Sequence, residues 1–506
     1  MMELRDEAPT LTLGWAILPI AAMLALIVVA GAAGNLGTEV LIVILLLTAL
    51  VAGGVARRQG LGWDEIQHST GEKIAAVLPA LLILLSIGLL IAGWVLSGTI
   101  PWLVYWGVRL IDPRYLVLTA FFATALMSLF TGTSWGSAGT IGVALMGTAA
   151  ALDANLAATA GAVVSGAYLG DKMSPLSDST NIAAIGAGAG LYSHIRQMMY
   201  TATPSFAVAT VVYLWLGLRG SSASSAVLPP EAARLLADIE GIYRLEALVL
   251  LPILVVVIGI ARQAPPALAI GASGAVAAVI GVAWQGFGVS EAVVALVAGF
   301  DVGMIESTGH GLASLGTRFV GLVERGGLYG MSYTLIVVIA AFVLAGAMDV
   351  SGALDLLIRR LLATVRTVFG LIAATMAAGA VMIGLISHGG VTSLVIGGLF
   401  QPAYEERGLA PENLSRSIED SVTLVEPLMP WTVSAVFMSV TLGVSTVAYA
   451  PWAVFCYGGP FFSLLIAALY RRTGFGIRPA IESTADRAAR SGVPVSDAPP
   501  PHRSLE

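Results

Sequence analysis

A chain of 506 residues that is 57% hydrophobic and only 11% charged is too poor in charge for a soluble globular protein, where about a quarter of residues carry one. Lipid is its expected solvent. The net charge of -6, without a basic stripe interleaved with aromatics, excludes a nucleic-acid partner, and a lone Cys456 excludes disulfides and cysteine metal sites.

Residues 1–12 read as a cytoplasmic N-terminus. The first ten carry three acids and one Arg and lack a small-residue cleavage pattern, so no removable signal peptide is expected. A first membrane repeat spans 13–218, with apolar runs of about 20 residues, the length that crosses a bilayer, at 14–33, 38–56, 74–97, 115–131 and 198–217. Trp94, Trp102, Tyr105 and Trp106 fall near a span end and read as interfacial anchors. Stretches 139–152 and 155–169 are apolar but too short or interrupted to span alone. Segment 219–244, with Ser221, Ser222, Pro229 and Pro230, is the most polar interior stretch and reads as an inter-repeat linker.

The second repeat, 245–470, holds runs at 245–261, 267–284, 333–349, 368–387, 432–448 and 450–470, with a short run at 391–400. Residues 471–506, with Pro499, Pro500 and Pro501 and no apolar periodicity, read as a disordered cytoplasmic tail. Arg57-Arg58 and Arg471-Arg472 place both termini in the cytoplasm of a protein of the inner membrane. The expected fold is an all-α polytopic membrane protein of about 10–12 transmembrane helices.

The halves echo each other, as inverted repeats do. In the first, the patch Thr131 to Ser137 precedes the acidic, proline-broken stretch Gly170 to Asn181; in the second, Ser387 to Ser393 precedes Ser415 to Thr423, with Pro427 and Pro430 behind it. Spacing differs, 44 residues from Ser134 to Asp178 against 33 from Ser387 to Asp420. Non-helical backbone at membrane depth survives only inside protein or beside water, so broken polar segments are site candidates. The same stretch 171–181 also reads as an extramembrane loop held by turn-forming Ser and Asn. On the site reading, Pro175 breaks the helix between Asp171 and Asp178, and freed carbonyls and side-chain oxygens converge on a dehydrated cation. Asp178 is the preferred acid there, because Asp171 has Lys172 beside it as a neutralising partner. In the second stretch Arg416 is spaced to pair with Glu419, while Asp420 shares a helical face with Ser417 and Thr423. His388 reads either as a packing residue or, in its Gly-rich break, as a proton relay or gate, with Thr133 and Ser134 at the matching place in the first half. Asp301, Glu306, His310, Asp349 and Asp355 are not expected in the site.

These patches resemble the NhaC-type sodium/proton antiporter family. The matching residues are Gly132-Thr133-Ser134-Trp135-Gly136 with Gly139-Thr140, the run Ser165 to Asp178 with Thr180-Asn181, Gly326-Gly327-Leu328, Leu414-Ser415-Arg416 with Glu419-Asp420-Ser421, and Pro427-Leu428-Met429-Pro430-Trp431. The resemblance runs from the first span to about Tyr470. It implies two inverted repeats with broken or re-entrant helices, and exchange of cytoplasmic Na+ for external H+. The family also includes exchangers of malate and lactate and amino-acid carriers. Val422 departs from the pattern, where a glycine is expected, and leaves the place of Thr423 open.

The expected mechanism is competition between Na+ and H+. Sodium is expected on Asp178, Asp420, Asn181 and Thr423, supported by Ser177, Thr180 and Ser421, with Asp171 and Glu419 as further acids. Expected partners are Na+, H+, the lipid bilayer, a second copy of the chain and, on a rival reading, a small organic acid held by Lys172, Arg416 or half-helix N-termini. No cofactor is expected beyond the transported ions. A zinc peptidase would need His-Glu-x-x-His and a serine enzyme a Gly-x-Ser-x-Gly elbow. His-Glu-x-x-His does not occur, and Gly132 to Gly136, which has the Gly-x-Ser-x-Gly spacing, lies in a patch without a base, so the protein is not expected to be an enzyme.

Overall fold

Apolar runs bounded by Gly, Pro or a capping hydroxyl become helices along the whole chain. The computed structural model describes residues 11–33, 37–220, 230–262, 264–312 and 315–480. Parts of three segments read from the sequence, the N-terminus at 1–10, the linker at 221–229 and the tail at 481–506, lie outside the described residues. The spans α1 (Leu13–Ala32) and α2 (Thr38–Arg58) form a hairpin in which Arg58 lies over the Trp15 ring at 4.4 Å, so the start of α1 and the end of α2 share one end of the molecule. The long α3 (Trp63–Leu96) is bent by 44° around Pro79, whose ring and missing N–H interrupt the helical ladder. After it come α4 (Thr99–Leu110), α5 (Leu116–Thr131), the short α6 (Ser134–Ser137), a π-turn at Ala138–Gly142, and α7 (Val143–Ala151). The half closes with α8 (Leu156–Met173), α9 (Asp178–Ala187) and α10 (Leu191–Gly220).

The described part of the polar linker is not irregular. Residues Pro230–Ile242 form α11, which buries Leu235, Leu236 and Ile239 on one face and meets the next helical stretch at 102°. That angle lays an amphipathic helix across the direction of the spans. Next are α12 (Leu251–Ala261), α13 (Pro266–Ile280), α14 (Val289–Ala298), α15 (Thr317–Val323) and α16 (Gly327–Gly330). The second half continues through α17 (Ser332–Val350), α18 (Ala353–Thr364), α19 (Val368–Ile386), α20 (Gly389–Glu405) and α21 (Pro411–Ile418) to α22 (Val433–Leu442), α23 (Thr446–Tyr449) and α24 (Val454–Thr473). Among the described residues, eight helices are long and apolar enough to cross a membrane, and up to eleven if each of three bent pairs is one span. The chain is an all-α, multi-pass membrane protein.

The core does not follow the sequence halves. One apolar cluster joins α3 to α8 with Leu424, Phe437 and Tyr449, a second joins α1 and α2 to α17, α19 and α20, and a small third packs Val77 against Val338, Phe342 and Val433. Two sequence expectations fail here. Trp94 is 2% exposed and donates its indole N–H to Ser273 Oγ at 2.9 Å, so it is a core residue and not an interfacial anchor. The chain also stays ordered past Arg471: Ala410 N donates to Arg478 O (3.0 Å) and Ala480 N to Gly408 O (2.8 Å), fastening 474–480 to the turn after α20.

Candidate functional site

Two helices end and restart in the same way, one in each half. At the end of α5, Gly132 adopts φ +68°, and its N–H donates to Ser128 O at 2.8 Å; Thr133 then caps α6, its hydroxyl accepting from Gly136 N. At the end of α19, Ser387 adopts φ +63°, its N–H donates to Ile383 O at 2.8 Å, and His388 caps α20, Nδ1 accepting from Val391 N. The caps Thr133 and His388 have nearly the same backbone angles, φ -144° and ψ 124° against φ -143° and ψ 116°.

Each half also breaks a second helix. After α8, Pro175 cannot continue the ladder, and polar side chains take the carbonyls left over. Thr180 Oγ1 reaches the carbonyls of Asp171 and Lys172, both at 3.0 Å, and Asn181 Nδ2 donates to Pro175 O and Ser177 O. Ser177 caps α9. In the second half α21 runs into a π-turn at Glu419–Thr423, where Leu424 N donates to Glu419 O, and the chain bends by 46° before α22.

The breaks bring the buried charges together. Among the described residues the buried ionisable side chains, apart from Tyr and Cys, are Asp171, Lys172, His194, Arg416, Glu419, Asp420 and Glu426. Lys172 Nζ forms a fully buried ion pair with Asp420 Oδ1, and Thr201 Oγ1 donates to the same oxygen at 3.2 Å. Asp420 Oδ2 has no hydrogen-bond partner, and neither carboxylate oxygen of Glu419 meets hydrogen-bond geometry. Glu419 lies within electrostatic reach of Lys172, Asp171 and Asp420. Arg416 Nη1 donates to Gly476 O, while its Nε and Nη2 are unpartnered. Asp171 accepts from Ser134 Oγ at 2.7 Å on one oxygen and from Ser177 Oγ on the other. Glu426 lies beside Ser434 and the Gly389 backbone, and Asp171 is within its electrostatic reach. Four buried carboxylates thus face two buried cations, Lys172 and Arg416.

An open cavity of about 560 Å³ reaches this network. Its walls include Thr133, Ser134, Asp171, Asp178, His388, Thr423 and Glu426, with Trp135 and Tyr168, and no Lys or Arg lines it. Trp135 stacks on Phe437 with ring centroids 4.5 Å apart.

Measured against the sequence, the site moves by a few residues. Asp178 is exposed in the first turn of α9, where the helix dipole favours an acid, and it lines the cavity. No hydrogen bond joins it to Asp420, which does not line the cavity. The four expected sodium ligands therefore do not form one cluster. Thr423 and Asp178 line the cavity, Asn181 is committed to two carbonyls, and Asp420 to Lys172. Lys172 pairs across the halves and not with Asp171, because neighbouring helical residues point about 100° apart. Arg416 makes no ion pair with Glu419, and Ser417 faces Tyr404 at 3.3 Å instead of sharing a site with Asp420. The π-turn starting at Glu419 shifts Thr423 out of phase with Ser417, so Ser417, Asp420 and Thr423 do not share one helical face. Ser421 Oγ is used within that turn, donating to Ser417 O at 2.7 Å. Glu426 was missed. An acid between Val425 and Pro427, three residues after Thr423, was the available signal.

The sequence is similar to known membrane antiporters over most of its length. The sequence model of the Na+/H+ antiporter family matches residues 10–180 and 166–469. A Haemophilus influenzae protein described as an uncharacterized Na+/H+ antiporter is 42% identical over 459 residues, covering 91% of this chain and 95% of its own. The Na+/H+ antiporter NhaC of Alkalihalophilus pseudofirmus is 34% identical, covering 90% of this chain and 96% of its own. The arginine/ornithine antiporter ArcD of Halobacterium salinarum is 33% identical, covering 87% and 88%.

Proposed function

The chain belongs to the Na+/H+ antiporter family, and from that premise we propose that it is a secondary transporter exchanging cytoplasmic Na+ for external H+ at carboxylates in and behind the acidic cavity. The observation that carries the reading is the charge count. Two of the four buried carboxylates have no buried cation to offset them, and a bare charge in a dry interior costs several kcal/mol. The site therefore holds protons or cations. In this scheme Asp171 and Glu426, with Ser134 and Thr423, receive Na+ from the cavity, Asp178 attracts it at the mouth, and Glu419 carries a proton behind them. Na+ displaces protons, and only the neutralised site changes the side of the membrane it faces.

The lining disfavours organic-acid cargo. A carboxylate entering the cavity would meet Asp171, Asp178 and Glu426 with no Lys or Arg among the lining residues, since Lys172 is committed to Asp420 and Arg416 reaches Gly476. In proteoliposomes loaded with a pH dye, Na+ is expected to drive proton movement with no organic acid present, and Asp171→Asn to abolish it. Flux that needs malate or lactate and ignores Na+ would replace this function with the rival one. The membrane is the cytoplasmic membrane, with the Arg57-Arg58 and Arg471-Arg472 end facing the cytoplasm.

A further inference from the structure

The end of the molecule that carries Arg471 holds a second charged cavity, of opposite sign and outside the transport site. It measures about 570 Å³ and lies between the start of α19, the turn after α20 and the last turns of α24. Arg366, Arg407 and Arg471 line it, and no carboxylate does. Arg407 is fixed in place: Nη1 donates to Ala403 O and Nη2 to Val365 O, each at 2.9 Å. Arg366 and Arg471 are exposed and enter no ion pair among the described residues. The rest of the wall is largely apolar, including Val368, Tyr470 and Phe369, which is 44% exposed.

Three guanidinium groups around one cavity repel each other unless an anion lies between them, and their planar forks match phosphate oxygens. The adjoining apolar wall fits hydrocarbon. A ligand with both parts, a phosphate joined to acyl chains, is a membrane lipid. We propose that this pocket binds an anionic phospholipid, with its headgroup phosphate among Arg366, Arg407 and Arg471 and an acyl chain along Val368 and Phe369. Basic pockets between helices at a membrane face commonly recognise such headgroups. A free soluble anion would satisfy the charges but would leave the exposed Phe369 unused.

Native mass spectrometry of the full-length protein, titrated with phosphatidylglycerol or phosphatidylcholine, tests this. The wild type is expected to prefer phosphatidylglycerol by at least about tenfold. Arg366→Gln/Arg471→Gln leaves the Arg407 contacts intact; at about fivefold per basic residue it is expected to lose about 25-fold of phosphatidylglycerol binding. Its phosphatidylcholine binding, where the choline cation already opposes the arginines, should fall by much less. Arg359→Gln/Arg360→Gln, on α18 and outside the pocket, is expected to keep the preference. Equal phosphatidylglycerol binding by the wild type and the Arg366/Arg471 variant overturns the proposal, as does equal wild-type affinity for the two lipids. Displacement of the lipid by millimolar inorganic phosphate would make this a soluble-anion site and overturn the assignment to lipid.

Discussion

Ser134 and Ser177 hold the two oxygens of Asp171, one each, while the carboxylate still borders the open cavity. A hydrogen bond to a charged group contributes roughly 1.5–3 kcal/mol. Ser134→Ala is therefore expected to raise the Na+ concentration for half-maximal exchange by about tenfold, read by titrating Na+ against the dye signal. Protons compete for the same carboxylates, so each unit of acidification should raise that concentration, by up to about tenfold for a single competing proton. A half-saturation indifferent to pH would remove competition from the mechanism. The Lys172–Asp420 pair invites a double-mutant cycle. Lys172→Met or Asp420→Asn alone leaves a buried polar group without its partner and is expected to cost about 3–5 kcal/mol of stability. The double variant should recover at least half of that in thermal unfolding. The acids at both breaks were legible in the sequence, but their partners were not. Lys172 is one residue from Asp171 and 248 from Asp420, and it pairs with the distant one. Glu426 escaped notice because it stands outside the polar clusters and becomes part of the site only when the chain bends after the π-turn.

The helix breaks were the most legible elements, because glycine, proline and hydroxyl residues must interrupt an apolar helix somewhere. Their backbone demands differ in kind. Gly132 and Gly443 both adopt left-handed φ, +68° and +70°, but a Cβ on Gly132 would meet the Leu176 main chain at 2.6 Å, while Gly443 has nothing within 4 Å. Gly443→Ala is expected to cost only the left-handed term, about 1–2 kcal/mol. Gly132→Ala should cost clearly more, and should also weaken Na+ exchange by displacing the α8–α9 turn; equal melting shifts for the two variants would contradict this. The tight seam between α5 and α8 has the same origin, since a Cβ on Gly170 would meet Ser128 Cβ at 2.5 Å. What the sequence could not reveal is the π-turn at Glu419–Thr423, where one extra residue in the turn puts Thr423 and the chain beyond it out of phase with Ser417. The helix within the linker was hidden for another reason. Its apolar residues Leu235, Leu236 and Ile239 cover only one face, and the surrounding Ser and Pro dominate the composition.

At the scale of the whole molecule, Arg58 over Trp15, Gln59 Nε2 donating to Ser351 O at 2.9 Å, and Arg407 donating to Val365 O connect the end of α2 through α18 to the end of α24. The start of α1 and the end of α24 therefore lie at one end of the protein. Cys456 is buried, so single cysteines introduced at Leu13 and Thr473 can be labelled with little background. Both are expected to react with a membrane-impermeant maleimide in everted vesicles and to be protected in intact cells; opposite behaviour of the two would refute the shared end. The cross-packed core has a consequence for biogenesis. Ser69 and Lys73 bond Asp349 across some 280 residues of chain, which at about 5–20 residues per second separates their emergence from the ribosome by roughly 14–56 s. For that interval α3, and with it the α1–α2 hairpin whose core partners include α17, must wait in the translocon or in lipid without final neighbours. A nascent chain stalled midway would therefore offer an unsheltered pair of helices to membrane proteases and insertion chaperones.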